Sequence, residues 1–224
     1  MIIDHCEFPD DLCYDVQSDV WFRFSSEEKG GTAGITTILS FLAGKLQTIR
    51  LKTELGIASS RQMIGTIESG RYFGAVRSPV SGRISEYNLA LIADPTLANR
   101  DPYGAGWFLR YETIDEADLG KLLRGKLAEE ALRSRIKELK VRCFKQLPDD
   151  DMFSIGTECS TTLANLNQLL EKRPEGTVVH LVTDDPTAEI EMIRWADQTK
   201  NELLETRKED TLFHFIVRKD EKMR

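Results

Sequence analysis

Short apolar runs separated by turn residues fill the first half of the sequence, and this pattern limits the folds that it can adopt. Gly, Pro, Asn and Asp punctuate the runs throughout residues 13–113. The runs that we predict to be β-strands are residues 20–24, 32–35, 46–51, 63–67, 82–87 and 106–111. We predict a turn at Gly30-Gly31 and one short helix over residues 38–42, which ends at Gly44. The pattern favours a small barrel or sandwich with little helix.

The pattern changes after residue 114. Leucine, isoleucine and alanine recur at helical spacing over residues 115–145, which predicts one helix, or two helices broken near Gly125. The acidic, proline-containing segment 146–151 is typical of a linker. The elements that we predict beyond it are strands at residues 152–155, 178–182, 203–207 and 212–218 and helices at residues 161–171 and 188–198. Their order favours an α+β two-layer sandwich over residues 150–224.

The composition excludes several classes of protein. No apolar run approaches the roughly 20 residues that span a bilayer, and the first residues lack the pattern of a signal peptide. The formal net charge is -7, which disfavours binding to nucleic acid or to an anionic membrane. We therefore expect a cytoplasmic protein whose partners are proteins, with neither nucleic acid nor a membrane among them.

The sequence contains no pattern that indicates an enzyme or a metal protein. The cysteines do not have the spacing of a zinc site, and we expect no bound metal. In a reducing compartment we expect four free thiols, mostly buried, at Cys6, Cys13, Cys143 and Cys159. His180 lies among valines and a leucine and is expected to be a hydrogen-bonded core or edge histidine. Neither a G-x-S-x-G nor a G-K-[ST] segment occurs, so we expect no catalytic residue.

Several short segments of the first half are specific in their order and spacing. They are G-I-T at 34–36, S-P-V-S-G at 78–82, N-L-A at 88–90, P-T-L-A-N at 95–99 and D-P-Y-G-A-G-W at 101–107. With these segments, residues 13–114 resemble the glycine cleavage system H protein. The resemblance implies a mainly β barrel-sandwich hybrid fold, the fold of lipoyl and biotinyl carriers. We assign it to a domain over residues 1–114, followed by a helix and linker at 115–149.

The resemblance also implies where a lipoyl group would be attached. In that family a lysine in the segment E-S-V-K lies on a hairpin turn and forms an amide with lipoate. Here the segment is Glu68-Ser69-Gly70-Arg71, and the spacing from Ser69 to Ser78 matches the family. A guanidinium stays protonated and is a poor nucleophile, so we expect Arg71 to carry no lipoate and the chain to have no cofactor. Lys45 and Lys52 lie well upstream of the turn.

The side chains of this turn have two interpretations each. Arg71 either binds an anionic or carboxylate-bearing partner, or is an ordinary solvated arginine. Tyr72 and Phe73 either anchor a partner protein or fold inward as core. Glu68 and Ser69 complete the set of candidate partner-docking residues.

The last third of the sequence contains a second set of motifs. Cys159 precedes the first predicted helix, D-D-P follows the central strand at 184–186, and F-I-V-R-K fills the last strand at 215–219. With these residues, the segment 150–224 resembles the TusA/SirA family of small sulfur carriers. In that family a cysteine of a C-P-x-P motif carries a persulfide. Here the motif is C-S-T-T, and both prolines are missing.

Cys159 is therefore a sulfur-carrier candidate with an alternative. A thiolate at a helix N-terminus is stabilised by the unpaired N–H groups and the helix dipole, which lower its pKa. Glu158 precedes the cysteine and opposes formation of the thiolate. The residue is either a persulfide carrier or an inert thiol at a helix start.

The two resemblances together predict a non-catalytic carrier or adaptor. Its H-like domain would dock proteins that recognise lipoyl-carrier surfaces, such as enzymes of lipoate or sulfur metabolism, and its TusA-like domain would relay sulfur through Cys159. One alternative is a structural or regulatory interaction protein in which both carrier sites are lost. Another is an atypical glycine cleavage H protein. The reactivity of Cys159 and the presence of a lipoyl group distinguish these hypotheses.

Overall fold

The chain forms two compact units. A computed structural model of the protein describes residues 1–25, 29–52 and 54–220. The units are Met1–Cys143 and Phe144–Arg224. The predicted domain limits at residues 114 and 150 stay a prediction. Both predicted domains contain residues that lie outside the described part of the chain, namely 26–28, 53 and 221–224.

The first unit consists mainly of short antiparallel strands. Its strands are β1 (Ile2–Ile3), β2 (Cys6–Glu7), β3 (Cys13–Asp15), β4 (Val20–Ser25), β5 (Gly30–Ile35), β6 (Leu46–Leu51), β7 (Ile57–Ala58), β8 (Met63–Ser69), β9 (Phe73–Arg77), β10 (Gly82–Tyr87) and β11 (Leu109–Ile114). Its helices are α1 (Thr37–Ala43), α2 (Ala90–Ala93), α3 (Leu97–Arg100), α4 (Glu116–Leu119) and α5 (Gly125–Leu139). The sheets have the strand orders β3-β4-β5-β11-β10-β7, β6-β8-β9 and β1-β2.

The two larger sheets share one apolar core, which confirms the predicted mainly β fold. Alternate residues of the strands point inward, so Ile49 of β6 and Ile67 of β8 pair across the smaller sheet and are both buried. The same cluster contains Phe22 and Leu109 from the larger sheet. The core therefore packs the hairpin of β8 and β9 against the larger sheet.

The predicted turn at Gly30-Gly31 is wrong, because both glycines belong to strand β5. A Cβ atom on Gly30 would lie 2.1 Å from the carbonyl oxygen of Tyr111, and one on Gly31 would lie 2.5 Å from the ring of Phe22. These glycines therefore allow close approach of neighbouring strands rather than a change of chain direction.

The helical pattern of residues 115–145 forms two helices, α4 and α5, and Gly125 opens the second with a positive φ of 58°. Ala128, Leu132 and Ile136 recur every fourth residue along α5 and are buried together. They pack in one cluster with aromatic side chains such as Trp21 of β4. The helix thus packs on the β-structure of the first unit, as its periodicity predicts.

The expectation of four free thiols is wrong. Cys6 and Cys143 form a disulfide with a Cα–Cα distance of 5.1 Å, across a sequence separation of 137 residues. Both half-cystines lie in the cluster that buries α5. Local sequence gave no sign of this pairing, because the two residues meet only when the ends of the first unit come together. Cys13, which is buried, and Cys159 remain as free thiols.

The second unit has strands and helices in the predicted order. Its strands are β12 (Asp150–Ser154), β13 (Val178–Thr183), β14 (Glu202–Glu209) and β15 (Leu212–Arg218), and its helices are α6 (Cys159–Glu171) and α7 (Ala188–Thr199). The sheet has the order β12-β13-β15-β14, in which only β12 and β13 are parallel. Leu166 of α6 and Trp195 of α7 pack with Val179 and Phe215 of the sheet. This helix layer on a sheet confirms the predicted α+β two-layer sandwich.

The acidic end of the predicted linker is structured. Asp150 and Asp151 begin β12, and the Asp150 carboxylate accepts two hydrogen bonds from the Arg173 guanidinium at 2.6 and 2.7 Å. Oδ1 of Asp151 lies 2.8 Å from Nδ1 of His180, whose Nε2 lies 2.9 Å from Nδ1 of His214. His180 is therefore buried and hydrogen-bonded, as expected, and the acidic residues have partners that only strand pairing brings close.

Candidate functional site

The hairpin of β8 and β9 turns at Gly70 and Arg71. The backbone N–H of Ser69 donates to the carbonyl of Tyr72 at 2.9 Å and closes the turn. The hydroxyl of Ser69 donates to the carbonyl of Ala43, the last residue of α1, at 2.6 Å. The hairpin turn is therefore tied to the C-terminal end of a helix.

The side chain of Arg71 lies over the same helix end. Its Nη2 donates to the carbonyl of Phe41 at 2.8 Å. The last carbonyls of a helix lack partners within the helix and carry partial negative charge, so a guanidinium is favourable there. Gly44 follows α1 with a φ of 74°, and a Cβ at this glycine would lie 2.7 Å from Nε of Arg71. The absence of a side chain at Gly44 thus makes room for the arginine.

The two aromatic residues after the turn have different environments. Tyr72 is partly buried and packs against the core cluster of the first unit. Phe73 is 67% exposed. Glu68, which pairs with Phe73 across the hairpin, is half-buried. The turn therefore presents one large apolar ring, and the other ring fixes the hairpin to the core.

Lys45 lies close to the turn, although it is remote in sequence. The residue before it, Gly44, abuts Arg71, and the residue after it, Leu46, pairs with Ser69 in the register of β6 and β8. Lys45 is exposed. Sequence spacing placed this amine well upstream, and the pairing of β6 with β8 is the feature that brings it to the hairpin.

Cys159 is the first residue of α6 and is partly exposed. Its backbone N–H donates to Oδ2 of Asp185 at 2.8 Å. The other oxygen of this carboxylate accepts hydrogen bonds from the backbone N–H and the hydroxyl of Thr187, at 2.8 and 2.6 Å. One carboxylate thus holds the start of α6 and the segment that leads into α7.

The surroundings of Cys159 disfavour its thiolate. Partial burial raises the pKa of the thiol, and the negative charges of Asp185 and Glu191 raise this pKa further. The sequence indicated Glu158 as the opposing charge, whereas Asp185 and Glu191 are 26 and 32 residues away and carried no local sign of this contact. They follow β13 in the chain and reach the thiol only through the packing of α6 beside α7. Burial and these two charges thus oppose the stabilisation of the thiolate that a helix start provides.

Within the part of the chain that the structure describes, no helix is both long enough and apolar enough to cross a membrane.

Both units have the folds of carrier-type domains, and comparison with known families agrees. The glycine cleavage H-protein family model matches residues 12–135, and the sulfurtransferase TusA model matches residues 155–219. The first match covers more than half of the chain, so the protein belongs to the glycine cleavage H-protein family. Both resemblances inferred from the motifs are thereby confirmed.

Individual relatives match the first unit over most of their own length. Glycine cleavage system H protein 2 of Aquifex aeolicus is 34% identical over 139 residues, which are 62% of this chain and 86% of the relative. A probable glycine cleavage system H protein 2 of Sulfolobus acidocaldarius is 33% identical over 147 residues, covering 64% of this chain and 97% of the relative. A glycine cleavage system H protein from Mycobacterium marinum has a crystal structure that matches with a TM-score of 0.44 and 26% sequence identity. The match covers 51% of this chain and 98% of the chain in that structure.

Proposed function

We propose that this protein is a non-catalytic carrier-type adaptor whose H-like unit docks partner proteins without carrying lipoate on its hairpin. The observation that carries the proposal is the contact of Arg71 with the helix end at Phe41. By resemblance to the family, residue 71 is the position of the lipoyl acceptor. The turn does not fit a lipoyl group, because an amide requires a neutral amine and the turn offers a guanidinium.

The docking surface of this proposal is the hairpin itself. Phe73 is a large exposed apolar ring, and aromatic rings are enriched at protein interfaces. Glu68, Ser69 and Tyr72 flank it, and Arg71 contributes a cation at the tip. Enzymes of lipoate or sulfur metabolism are the partner class that the glycine cleavage H-protein family and the resemblance to TusA favour.

Sulfur relay through Cys159 is a second candidate function. A partly exposed thiol at the first residue of α6, within the segment that matches TusA, favours it. In such a relay the Cys159 thiolate attacks the outer sulfur of a donor persulfide, the donor S–S bond breaks, and the donor thiolate leaves. The raised pKa of Cys159 leaves little thiolate at neutral pH, which supports an adaptor, or an interaction protein with both carrier sites lost, over an efficient relay.

An atypical H protein is the remaining alternative, and one observation favours it. Lys45 is an exposed amine beside the hairpin, next in sequence to the glycine that abuts Arg71. A lipoyl group on Lys45 would restore carrier function at a shifted position. The proposal predicts that this amine is not modified.

The test of the hairpin is intact-protein mass spectrometry after expression in a lipoylating host. The native chain is expected to gain no lipoyl group. Arg71→Lys is expected to gain one, because it restores an amine at the acceptor position on an unchanged hairpin. The double variant Arg71→Lys with Lys45→Arg is expected to keep the lipoyl adduct, because residue 71 and not residue 45 is then the acceptor. A lipoyl adduct on the native chain that Lys45→Arg removes would overturn the proposal and establish the atypical H protein.

The test of the relay uses the same measurement after exposure to a cysteine desulfurase and cysteine. We expect no stoichiometric sulfur on the native chain at neutral pH, and Cys159→Ser serves as the matched control. Gain of one sulfur atom on the native chain and not on Cys159→Ser would establish the relay. The two tests are independent, because one reports on the first unit and the other on the second.

A further inference from the structure

A cavity of about 460 Å³ opens on the first unit beside the hairpin. Three arginines line it: Arg61, Arg77 and Arg135. The only carboxylate among its described lining residues is Asp19. The protein as a whole carries a net charge of -7, so a cavity with this excess of positive charge departs from the rest of the molecule.

The charge of Arg135 is already balanced. Its Nε and Nη2 donate to the two carboxylate oxygens of Asp19 at 3.1 and 2.8 Å. Its Nη1 donates to Glu138 at 3.1 Å. A bidentate pair of this kind holds the guanidinium in a fixed orientation. Arg135 and Asp19 therefore form the structural wall of the cavity and cancel each other's charge, and Glu138, outside the lining, adds one negative charge next to them.

Arg61 and Arg77 bring charges that no described carboxylate balances. Nη2 of Arg61 donates to the side-chain oxygen of Gln17 at 2.8 Å, and Nη1 of Arg77 donates to the carbonyl of Arg61 at 3.0 Å. Both acceptors are neutral oxygens, and neither arginine has an ion pair within the described residues. These contacts hold the two guanidinium groups at one cavity while leaving other N–H donors for a ligand.

The rest of the lining is mixed: Gln17 and Ser18 are polar, and Leu39, Tyr72 and Ala75 offer carbon surface. Tyr72 contributes its partly buried ring, and Leu39 of α1 contributes a buried aliphatic side chain. A ligand that fills the cavity therefore meets two positive charges at one part and carbon surface at another. Two positive charges complement a dianion better than they complement a singly charged carboxylate, and the planar guanidinium fork suits phosphate oxygens.

We propose that this cavity binds a small phosphate monoester, with its dianionic group on Arg61 and Arg77 and its organic body against Tyr72 and Leu39. The site shares Tyr72 with the hairpin docking surface, but it involves neither Arg71 nor Cys159 and is therefore distinct from the acceptor position and from the sulfur-relay candidate. At physiological salt, interactions between exposed charges are screened beyond about 8 Å, so the local positive charge governs binding despite the acidic surface elsewhere.

The test is calorimetric titration of the full chain with phenyl phosphate at constant ionic strength. We expect saturable binding at one site, with weaker binding of inorganic phosphate, which lacks the organic body. Arg61→Gln and Arg77→Gln are each expected to lower the affinity for phenyl phosphate by about 10-fold or more, since hydrogen bonds to a charged group are lost. Arg83→Gln makes the same charge change at an exposed arginine of β10, outside the lining of the cavity, and is expected to leave the affinity unchanged.

Three results would overturn the proposal. The first is no saturable binding of phenyl phosphate by the native chain. The second is an equal loss in Arg83→Gln, which would indicate attraction by net charge alone. The third is equal affinity for benzoate, which would contradict recognition of a dianion. A circular dichroism spectrum of each variant separates loss of binding from loss of fold.

Discussion

At the residue scale, Asp185 has two opposing effects on Cys159. Its carboxylate accepts the backbone N–H of Cys159, which stabilises the start of α6. Hydrogen bonds from the hydroxyl and the backbone N–H of Thr187 and from the backbone of Cys159 lower the pKa of Asp185, so the carboxylate stays ionised at neutral pH. The same negative charge raises the pKa of the Cys159 thiol. The helix start is therefore stabilised in a way that suppresses the thiolate.

We predict that Asp185→Asn lowers the pKa of Cys159 and speeds its reaction with iodoacetamide at neutral pH. The single amide oxygen can still accept the backbone N–H of Cys159, at the cost of the hydrogen bond from the backbone N–H of Thr187, and the substitution removes the charge that opposes the thiolate. The alkylation rate is expected to rise, because a lower thiol pKa increases the fraction of thiolate at neutral pH. The measurement is the alkylation rate of Cys159 as a function of pH, from neutral pH upward, in the native chain and the variant.

Asp184→Asn is the matched control for this prediction. Oδ1 of Asp184 accepts the backbone N–H of Gly156, and this residue is not among the charges that raise the pKa of the thiol. Its pH profile is expected to match that of the native chain. An equal shift in both variants would mean that the effect comes from net charge and not from the contact at the helix start.

At the scale of elements, strand β5 shows how glycine permits close strand packing. β5 pairs with β4 on one side and with β11 on the other. The position of Gly30 beside the Tyr111 backbone leaves no room for a methyl group. Backbone atoms within a sheet cannot rotate away as a side chain can, so the space must remain empty.

We predict that Gly30→Ala lowers the free energy of unfolding of the first unit by about 1–3 kcal/mol or more, because the methyl group overpacks the sheet. Gly56→Ala is the control, since a Cβ there meets nothing within 4 Å. Its effect is expected to lie within about 0.5 kcal/mol of zero. Urea unfolding of both variants checks the prediction. A similar small effect in both would contradict the close approach of β5 to β11.

At the scale of the whole molecule, the disulfide between Cys6 and Cys143 closes almost the entire first unit into a loop. Cross-linking residues that are far apart in sequence restricts the unfolded chain, and the expected stabilisation increases with loop length. Both cysteines are buried, with at most 1% exposure, so a reducing agent reaches them slowly in the folded state.

We predict that the double substitution of Cys6→Ser and Cys143→Ser destabilises the first unit by about 2–5 kcal/mol, because the unfolded chain regains its loop entropy. Urea unfolding measures this difference, and Cys159→Ser is expected to leave the transition of the first unit unchanged. Thiol titration of the native chain in denaturant without reductant is expected to find the two free thiols, Cys13 and Cys159. A titration of four thiols would contradict the disulfide.

Local pattern was sufficient for most of the elements. The alternation of residues 46–51, 82–87 and 212–218 predicted β6, β10 and β15 with their observed bounds. Helix α7, predicted over residues 188–198, ends one residue later in the structure. The periodicity of an amphipathic element depends on neighbours within a few residues, so a sequence is able to specify it without a partner. The motifs likewise identified both families, because their residues are contiguous in sequence.

What the sequence by itself determined is therefore most of the longer elements, the two fold classes, the unusual Arg71 and the position of Cys159 at a helix start. The short strands β1, β2, β3, β7 and β9 and the short helices α2 and α3 were not predicted. What the tertiary structure decided is how distant residues act on these positions. The disulfide, Lys45 beside the hairpin, Asp185 and Glu191 beside the thiol, and the arginines of the cavity all depend on such contacts. All of these contacts have the same physical cause. Electrostatic, covalent and steric interactions depend on distance in space, and strand pairing and helix packing set that distance.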